Sequence, residues 1–314
     1  MLKTEICDLF RIEYPVIQGG MAWVSTAPLV AAVSNAGGLG IIGCGGMEPN
    51  MLEAQIRETR TLTDKPFGIN LLLTHPKVDE LFEVILRGSP AVVTTGAGSP
   101  GKFVPALKEK GIKVMPVVPS VALAQRMDRA GVDALVAEGT ESGGHVGELT
   151  TMVLVPQVVE AVSVPVVAAG GIIDARGIVA ALALGASAVQ MGTRFLAAME
   201  TPIHDNVKQE ILKAKDRDTV VTGRSTGHPV RVIKNRLSRE LERLDMENKP
   251  RELEELGTGK MRLAMLEGDT EWGSLMCGQG AGMVREIQPA AEIIQELMSG
   301  VESTIKELVK FVPA

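Results

Sequence analysis

The feature that most constrains this chain is a unit that repeats. From residue 15 to about residue 196, a short β-branched run ends in glycine or a polar residue, and a helical stretch follows. The candidate strands are PVIQGG (15–20), LGIIGCG (39–45), FGINLLL (67–73), AVVTTGA (91–97), KVMPVV (113–118), ALVAEG (134–139), PVVAAGG (165–171) and AVQMGTRFL (188–196). Their starts lie roughly 20–30 residues apart, the length of one strand–helix unit. The runs are apolar at odd and even positions alike, as strands covered on both faces of a parallel sheet require. Helical periodicity or alanine-rich composition fills 27–36, 50–62, 77–87, 101–110, 120–130, 153–162 and 174–184. Eight such units in series predict an α/β fold of the TIM type, a (β/α)8 barrel. A doubly wound open sheet would carry an early GxGxxG fingerprint, and none stands in the right context.

Composition changes after Phe195. Residues 201–269 hold 14 of the 32 Lys and Arg and 13 of the 38 Asp and Glu, which suits solvated helices better than barrel wall. The expected organisation is therefore a barrel over 1–199, an inserted, mainly helical cap over 200–273, and a returning segment over 274–314. That last segment holds a Gly-rich loop, SLMCGQGAGMV, and a final helix. A net charge of −6 and only nine aromatic side chains argue against nucleic acid as a partner. Cys7, Cys44 and Cys277 are odd in number and widely spaced, so they read as free thiols of a cytoplasmic protein. The longest apolar run, around 178–191, is broken by Gly185 and Ser187 and is too short to span a bilayer. The first residues lack the apolar core of a signal peptide. Without an HxxxH or HxH pair, no metal site is expected.

In a barrel of this type the site lies at the carboxyl ends of the strands. Glycines gather there: QGGMA after the first run, GCGG after the second, AGGI (169–172) after the seventh and QMGTR (190–194) in the eighth. Glycine lets backbone approach a ligand and leaves N–H groups free. AAGGIID followed by a helix collects amides and a helix N-terminus at one point, which suits a phosphate. Turn propensity explains one Gly-Gly pair, but not glycines at several successive strand ends. The remaining lining, Gln18, Met21, Ala22, Asn70 and Gln190, is neutral or apolar and suits a flat heteroaromatic ring. A phosphosugar isomerase would present more Asp, Glu and Lys residues.

VIQGGMAWVS, NAGGLGIIGCGG, FGINLLL, AEGTESGGHVGE, PVVAAGGI and AVQMGTRFL, in that order, resemble the FMN-dependent 2-nitropropane dioxygenase / nitronate monooxygenase superfamily. Within it, the chain is most similar to the enoyl-acyl carrier protein reductase II type of fatty-acid synthesis. The resemblance implies FMN at the strand ends and NADH, or NADPH, as the reductant. A monovalent cation, an acyl carrier protein partner and a homodimer are also features of that type. By motif, Gly20, Met21 and Ala22 would touch the flavin ring, with Asn70 and Glu138 near the ring or ribityl chain. Gly170, Gly171, Gly192 and Thr193 would hold the phosphate, and Gln190 the ribityl side. Ser142, Gly143 and Gly144 would continue the flavin contacts. Nitronate monooxygenase and an NADH:quinone reductase are the alternatives on this scaffold. A flavin-binding sensor would leave ESGGHVGE and the cap unexplained.

His145 is the expected catalytic residue. Hydride addition to the β-carbon of an enoyl thioester leaves an α-carbon that needs a proton, and imidazole can supply one. The plainer role is a loop histidine bonded to backbone. His75, His204 and His228 are weaker candidates. In the cap, Arg224, Arg231, Lys234, Arg236, Arg239 and Arg243 outnumber Glu240 and Glu242, a local excess of four positive charges (6 − 2). Arg224, Arg231, Lys234 and Arg236 are the residues expected to meet an acidic carrier protein. The competing reading is a solvated helix with ordinary ion pairs.

Overall fold

The computed structural model describes residues 2–311. Six parallel strands come first: β1 (Val16–Gln18), β2 (Leu39–Gly43), β3 (Phe67–Leu72), β4 (Val92–Gly96), β5 (Lys113–Val118) and β6 (Leu135–Glu138). A two-residue strand, β7 (Gly144–His145), stands outside the wall, and β8 (Val166–Ala169) and β9 (Ala188–Met191) complete it. β9 pairs with β1, Val16 opposite Val189 and Gln18 opposite Met191, so the eight wall strands form a closed barrel. Helices occupy Ala27–Asn35, Pro49–Leu62, Val78–Gly88, Val104–Glu109, Val121–Arg129, Thr151–Ala161 and Ala175–Ala183, each within a few residues of its expected span. The eighth run stops being strand at Met191. Gly192 then opens a short helix, Thr193–Leu196.

Parity divides the strand residues between two apolar layers. Ile17, Ile41, Val92, Val136, Val167 and Ala188 share one cluster with Ile6, Cys7 and Phe10 of the N-terminal helix Glu5–Phe10. This is the barrel interior, plugged at its amino end. Val16, Ile42, Val93, Leu135, Val166 and Val189 alternate outward and pack under the helices. The final helix, Ala290–Val309, lays Ile293, Ile294, Leu297 and Val301 into that outer layer.

The inserted region holds the expected helices, at Asp205–Lys213, Arg236–Met246, Pro250–Gly257 and Lys260–Glu267. It also holds a hairpin, β10 (Thr219–Thr222) and β11 (Val230–Ile233), so the cap is less helical than composition implied. TVVT and VRVI are β-branched runs around a turn in which Gly223 and Gly227 take φ of 83° and 78°. That is an ordinary hairpin signal, hidden inside a charged stretch. The free edge of β11 pairs with β7, giving a three-stranded antiparallel sheet beside the barrel mouth. Among the described residues no helix is long and apolar enough to cross a membrane, and no cluster of His, Cys, Asp or Glu could hold a metal ion.

Candidate active site

A cavity of about 650 Å³ opens at the carboxyl ends of the strands, beneath the cap. Gly20, Met21 and Ala22 line it from the loop after β1, Asn70 from β3, and Glu138 from the end of β6. Ser142, Gly143, Gly144 and His145 line it from the loop that follows. Gly170 and Gly171 come from the loop after β8, and Gln190, Gly192 and Thr193 from β9 and the turn beyond. Apart from Gln18, every barrel residue expected at the site therefore faces one void.

The loop after β8 is built so that only main chain fits. Gly170 and Gly171 have φ of 102° and 71°, conformations that L side chains rarely adopt. A Cβ on Gly170 would stand 2.8 Å from Thr151 Oγ1 and 2.9 Å from the Gly139 carbonyl. Glu141 supports this loop from below. Its carboxylate accepts from the Thr151 amide at 3.0 and 2.9 Å, capping the helix Thr151–Ala161. The late Gly-rich loop closes the third side. The Gly278 amide donates to Thr193 Oγ1 at 2.9 Å, and the Gln279 amide to the Glu141 carbonyl at 2.9 Å. A Cβ on Gly143 would lie 2.6 Å from the carbonyl carbon of Cys277, so these two backbones touch directly.

Two polar groups in the lining are unusual. Ser142 Oγ is buried, with the Glu138 carboxyl beside it. Burial pushes the Glu138 carboxyl up to about 7, and the nearby Ser142 hydroxyl offsets only part of that shift. Asn70 donates from Nδ2 to Thr94 Oγ1 at 2.9 Å, which fixes its amide. Cys44 donates to the Asn70 carbonyl at 2.9 Å. Burial raises its thiol to about 12, so it is a packed, protonated side chain. Gln18 does not line the cavity. It is fully buried and ties β1 to β2 through Ser25 Oγ and the Ile41 carbonyl. Met21, Met191 and Met276 join Met261 and Met265 of the cap in the lining.

Loose glycine backbone around His145 is stiffened by the cap. His145 pairs with Val230, Gly144 with Arg231, and the Val146 amide donates to the Pro229 carbonyl at 3.1 Å. Crowding by the cavity walls lowers the His145 pKa, and His228 lowers it further. His228 sits in the hairpin turn and lines the same cavity. Sequence spacing assigns it little weight, because only the β7–β11 pairing carries it to the site. His75 and His204 accept local amides, from Lys77 at 3.1 Å and Asn206 at 3.2 Å, and play turn and cap roles.

The cap cations split. Arg231 is not a surface residue: it is 6% exposed, and Nε and Nη2 donate to the Thr140 carbonyl at 3.2 and 3.0 Å. Its β-strand position turns it under the loop that carries His145, away from solvent. Lys234 donates to the Arg217 carbonyl at 2.7 Å. Arg236 is exposed and stacks 4.9 Å over Trp272, and Arg224 is exposed.

The sequence profile of the nitronate monooxygenase family matches residues 3–300. FabK from Thermotoga maritima superposes with a TM-score of 0.97 at 50% identity, over 99% of this chain and 100% of its own. The (3aS,4S,5R,7aS)-5-hydroxy-7a-methyl-1-oxo-octahydro-1H-indene-4-carboxyl-CoA dehydrogenase of Rhodococcus jostii is 40% identical over 241 residues, 77% of this chain and 68% of that relative. A probable nitronate monooxygenase of Staphylococcus saprophyticus is 36% identical over 340 residues, 93% and 96% of the two chains. With a closed barrel, a capped mouth and a match across nearly its whole length, the chain belongs to the nitronate monooxygenase family.

Proposed function

We propose that this oxidoreductase uses FMN and NAD(P)H to reduce the trans-2 double bond of enoyl thioesters carried by acyl carrier protein. One observation carries the reading. The same cavity is lined by a main-chain cradle, by the His145 imidazole, and by the apolar Leu196, Met261, Met265 and Met276 beneath the cap. These are the parts that a phosphorylated redox ring, a proton step and an acyl chain require. The full-length likeness to FabK supports it, as does a relative whose name describes a dehydrogenase of a CoA thioester.

The residues present fit FMN. Gly170 and Gly171 leave no room for side chains and expose amides toward a phosphate, and Gly192 and Thr193 add the second half of the cradle. The buried Ser142 hydroxyl, beside the Glu138 carboxyl, adds a polar group to that lining. Glu138 keeps a proton on its carboxyl up to about pH 7, so it can donate to a carbonyl edge. When bound, FMN supplies reversible hydride transfer between NAD(P)H and the thioester β-carbon. His145, held by β7, donates the proton that the α-carbon or the enolate oxygen takes up. A lowered pKa makes this proton easy to release but leaves less imidazolium as pH rises. The cap methionines exclude water around the reacting carbons.

Oxidation of nitronates is the second reading, favoured by the Staphylococcus saprophyticus relative. An anaerobic experiment separates the two. Without oxygen, protein reduced by NADH or NADPH is mixed with crotonyl thioester, and oxidised protein is mixed with an alkyl nitronate, whose electrons only oxidised flavin can take up. Reoxidation by the thioester without oxygen is expected. A reduced protein that crotonyl thioester leaves untouched would eliminate the reductase.

A further inference from the structure

The cavity rim carries a second imidazole that the proposed mechanism does not use. His228 stands two residues before Val230, which faces His145 across the β11–β7 ladder. The ladder continues through the Pro229 carbonyl, and alternate residues of a strand share a face. His228 and His145 therefore point from one side of the small sheet into one cavity, whose lining includes both. Neither the His228 imidazole nor the Arg224 guanidinium makes a hydrogen bond or ion pair among the described residues, and both are exposed.

The turn that presents them is firmly built. The Asp245 carboxylate accepts from the amides of Gly223, Arg224 and Ser225 at 2.6, 3.2 and 3.0 Å, and from the Ser225 hydroxyl at 2.6 Å. Asp245 is thus spent on the main chain, and the Arg224 charge stays free. The Thr226 hydroxyl accepts from the His228 amide at 3.1 Å, which fixes the backbone before Pro229. His228 thus lines the cavity from a rigid turn, and the unpaired Arg224 guanidinium belongs to the same turn, four residues earlier, a pair of donors suited to an anion.

We propose that His228, assisted by Arg224, recognises a phosphate ester at the cavity rim. Resting on the reading above, the phosphate is that of the pantetheine arm bearing the thioester or that of the dinucleotide. A rim position matches a group several atoms from the reacting carbon. It selects arm-bearing substrates over truncated ones.

The test compares His228→Gln with the parent on crotonyl-CoA and on crotonyl-N-acetylcysteamine, which lacks phosphate. The kcat/KM ratio of the first to the second is expected to fall about five- to tenfold. Arg224→Gln moves it the same way by about threefold. An NADH KM that rises about fivefold at an unchanged thioester ratio assigns the contact to dinucleotide phosphates instead. Equal losses on both thioesters with an unchanged NADH KM overturn the proposal. Labelling tests the site without turnover. Inorganic pyrophosphate should slow modification of His228 by diethyl pyrocarbonate in the flavin-loaded protein, read by mass spectrometry. Absence of protection overturns the subsite even if thioester reduction stands, and protection supports it even if the reductase reading falls.

Discussion

The cradle and the rim of this cavity are built on opposite principles. At the cradle, the loops after β8 and β9 and the late Gly-rich loop approach a common point mainly through main chain, with the Thr193 hydroxyl between two of them. Side chains are excluded by φ values of 102° and 71° and by neighbours already at contact distance. At the rim, His145 and His228 present side chains to the cavity, with Arg231 buried behind them, and all three are assembled by pairing between a barrel loop and a cap hairpin. A cradle fails when an atom is added. A rim fails when a group is removed. The difference also separates retention of the cofactor from turnover, which makes it open to experiment.

The largest effect belongs to the rim. His145→Ala should reduce enoyl reduction by about 10²- to 10⁴-fold, the usual span for one general acid. Bound flavin should remain, because no cradle contact passes through the imidazole. Turnover close to the parent's would remove His145 from the chemistry. The converse variant is Gly170→Ala. One methyl group meets Thr151 Oγ1 and the Gly139 carbonyl in a backbone conformation that costs an L residue about 1–2 kcal/mol. Flavin affinity should weaken at least about tenfold, measured by fluorescence titration of the stripped protein. If Gly170→Ala holds flavin as tightly as the parent, the cradle lies elsewhere.

Arg231 tests whether the two regions communicate. Its buried guanidinium donates twice to the Thr140 carbonyl and lies between the cap and the start of the loop that carries His145. Arg231→Gln leaves that carbonyl short of donors and should cost about 2 kcal/mol of stability. Turnover should fall about tenfold while flavin affinity changes little. Arg231→Lys keeps a charge but not the fork, so it should recover only part of the loss. A Tm drop without any change in turnover would confine Arg231 to cap folding.

Much of this architecture is legible in the residues, for reasons that differ by region. The barrel shows because spacing and two-sided apolarity are local properties of each strand–helix unit, and parity places Ile17 inside and Val16 outside. The cradle shows because turn propensity alone does not set glycines at one strand end after another. What stays hidden depends on contacts between distant segments. Charged neighbours obscure the hairpin, although TVVT and VRVI are both β-branched. Gln18 resembles lining because it precedes the first Gly-Gly, yet its parity turns it into the sheet. Arg231 resembles a surface residue because it sits in a basic cluster. Its burial depends on the register of β11 against β7, and no local pattern encodes that register.

Glu138 stands at the cradle yet acts as a side chain, so it sharpens the contrast through pH. Its folded pKa, about 7, lies above the ordinary 4.5. Between those values the unfolded chain has released a proton that the folded chain keeps. Stability therefore falls as pH rises through that window and levels off above it. The flavin-free parent should lose roughly 2 kcal/mol against Glu138→Gln from about pH 4.5 to about pH 7. A Tm difference that stays constant with pH would mean that the carboxyl is solvated.

The smallest effect concerns the outer face of the cap, where the structure has thinned the expected basic cluster. Arg231 is buried, Lys234 holds the Arg217 carbonyl, and Arg243 is paired with Glu240 at 3.0 Å and Glu247 at 2.6 Å. Arg224, Arg236 and Arg239 remain exposed, and Arg236 leans on Trp272. Docking of an acidic carrier protein on this remainder is a proposal, and its electrostatic component should be modest. Raising ionic strength from about 0.05 to 0.5 M should increase KM for the carrier-bound thioester about two- to threefold. The phosphate-free N-acetylcysteamine thioester should show no such trend. Arg239→Glu should add a further, similarly small increase for the carrier-bound substrate alone, since its side chain reaches neither cradle nor rim. Equal salt dependence for both substrates would place the effect within the cavity and leave the cap face without a docking role.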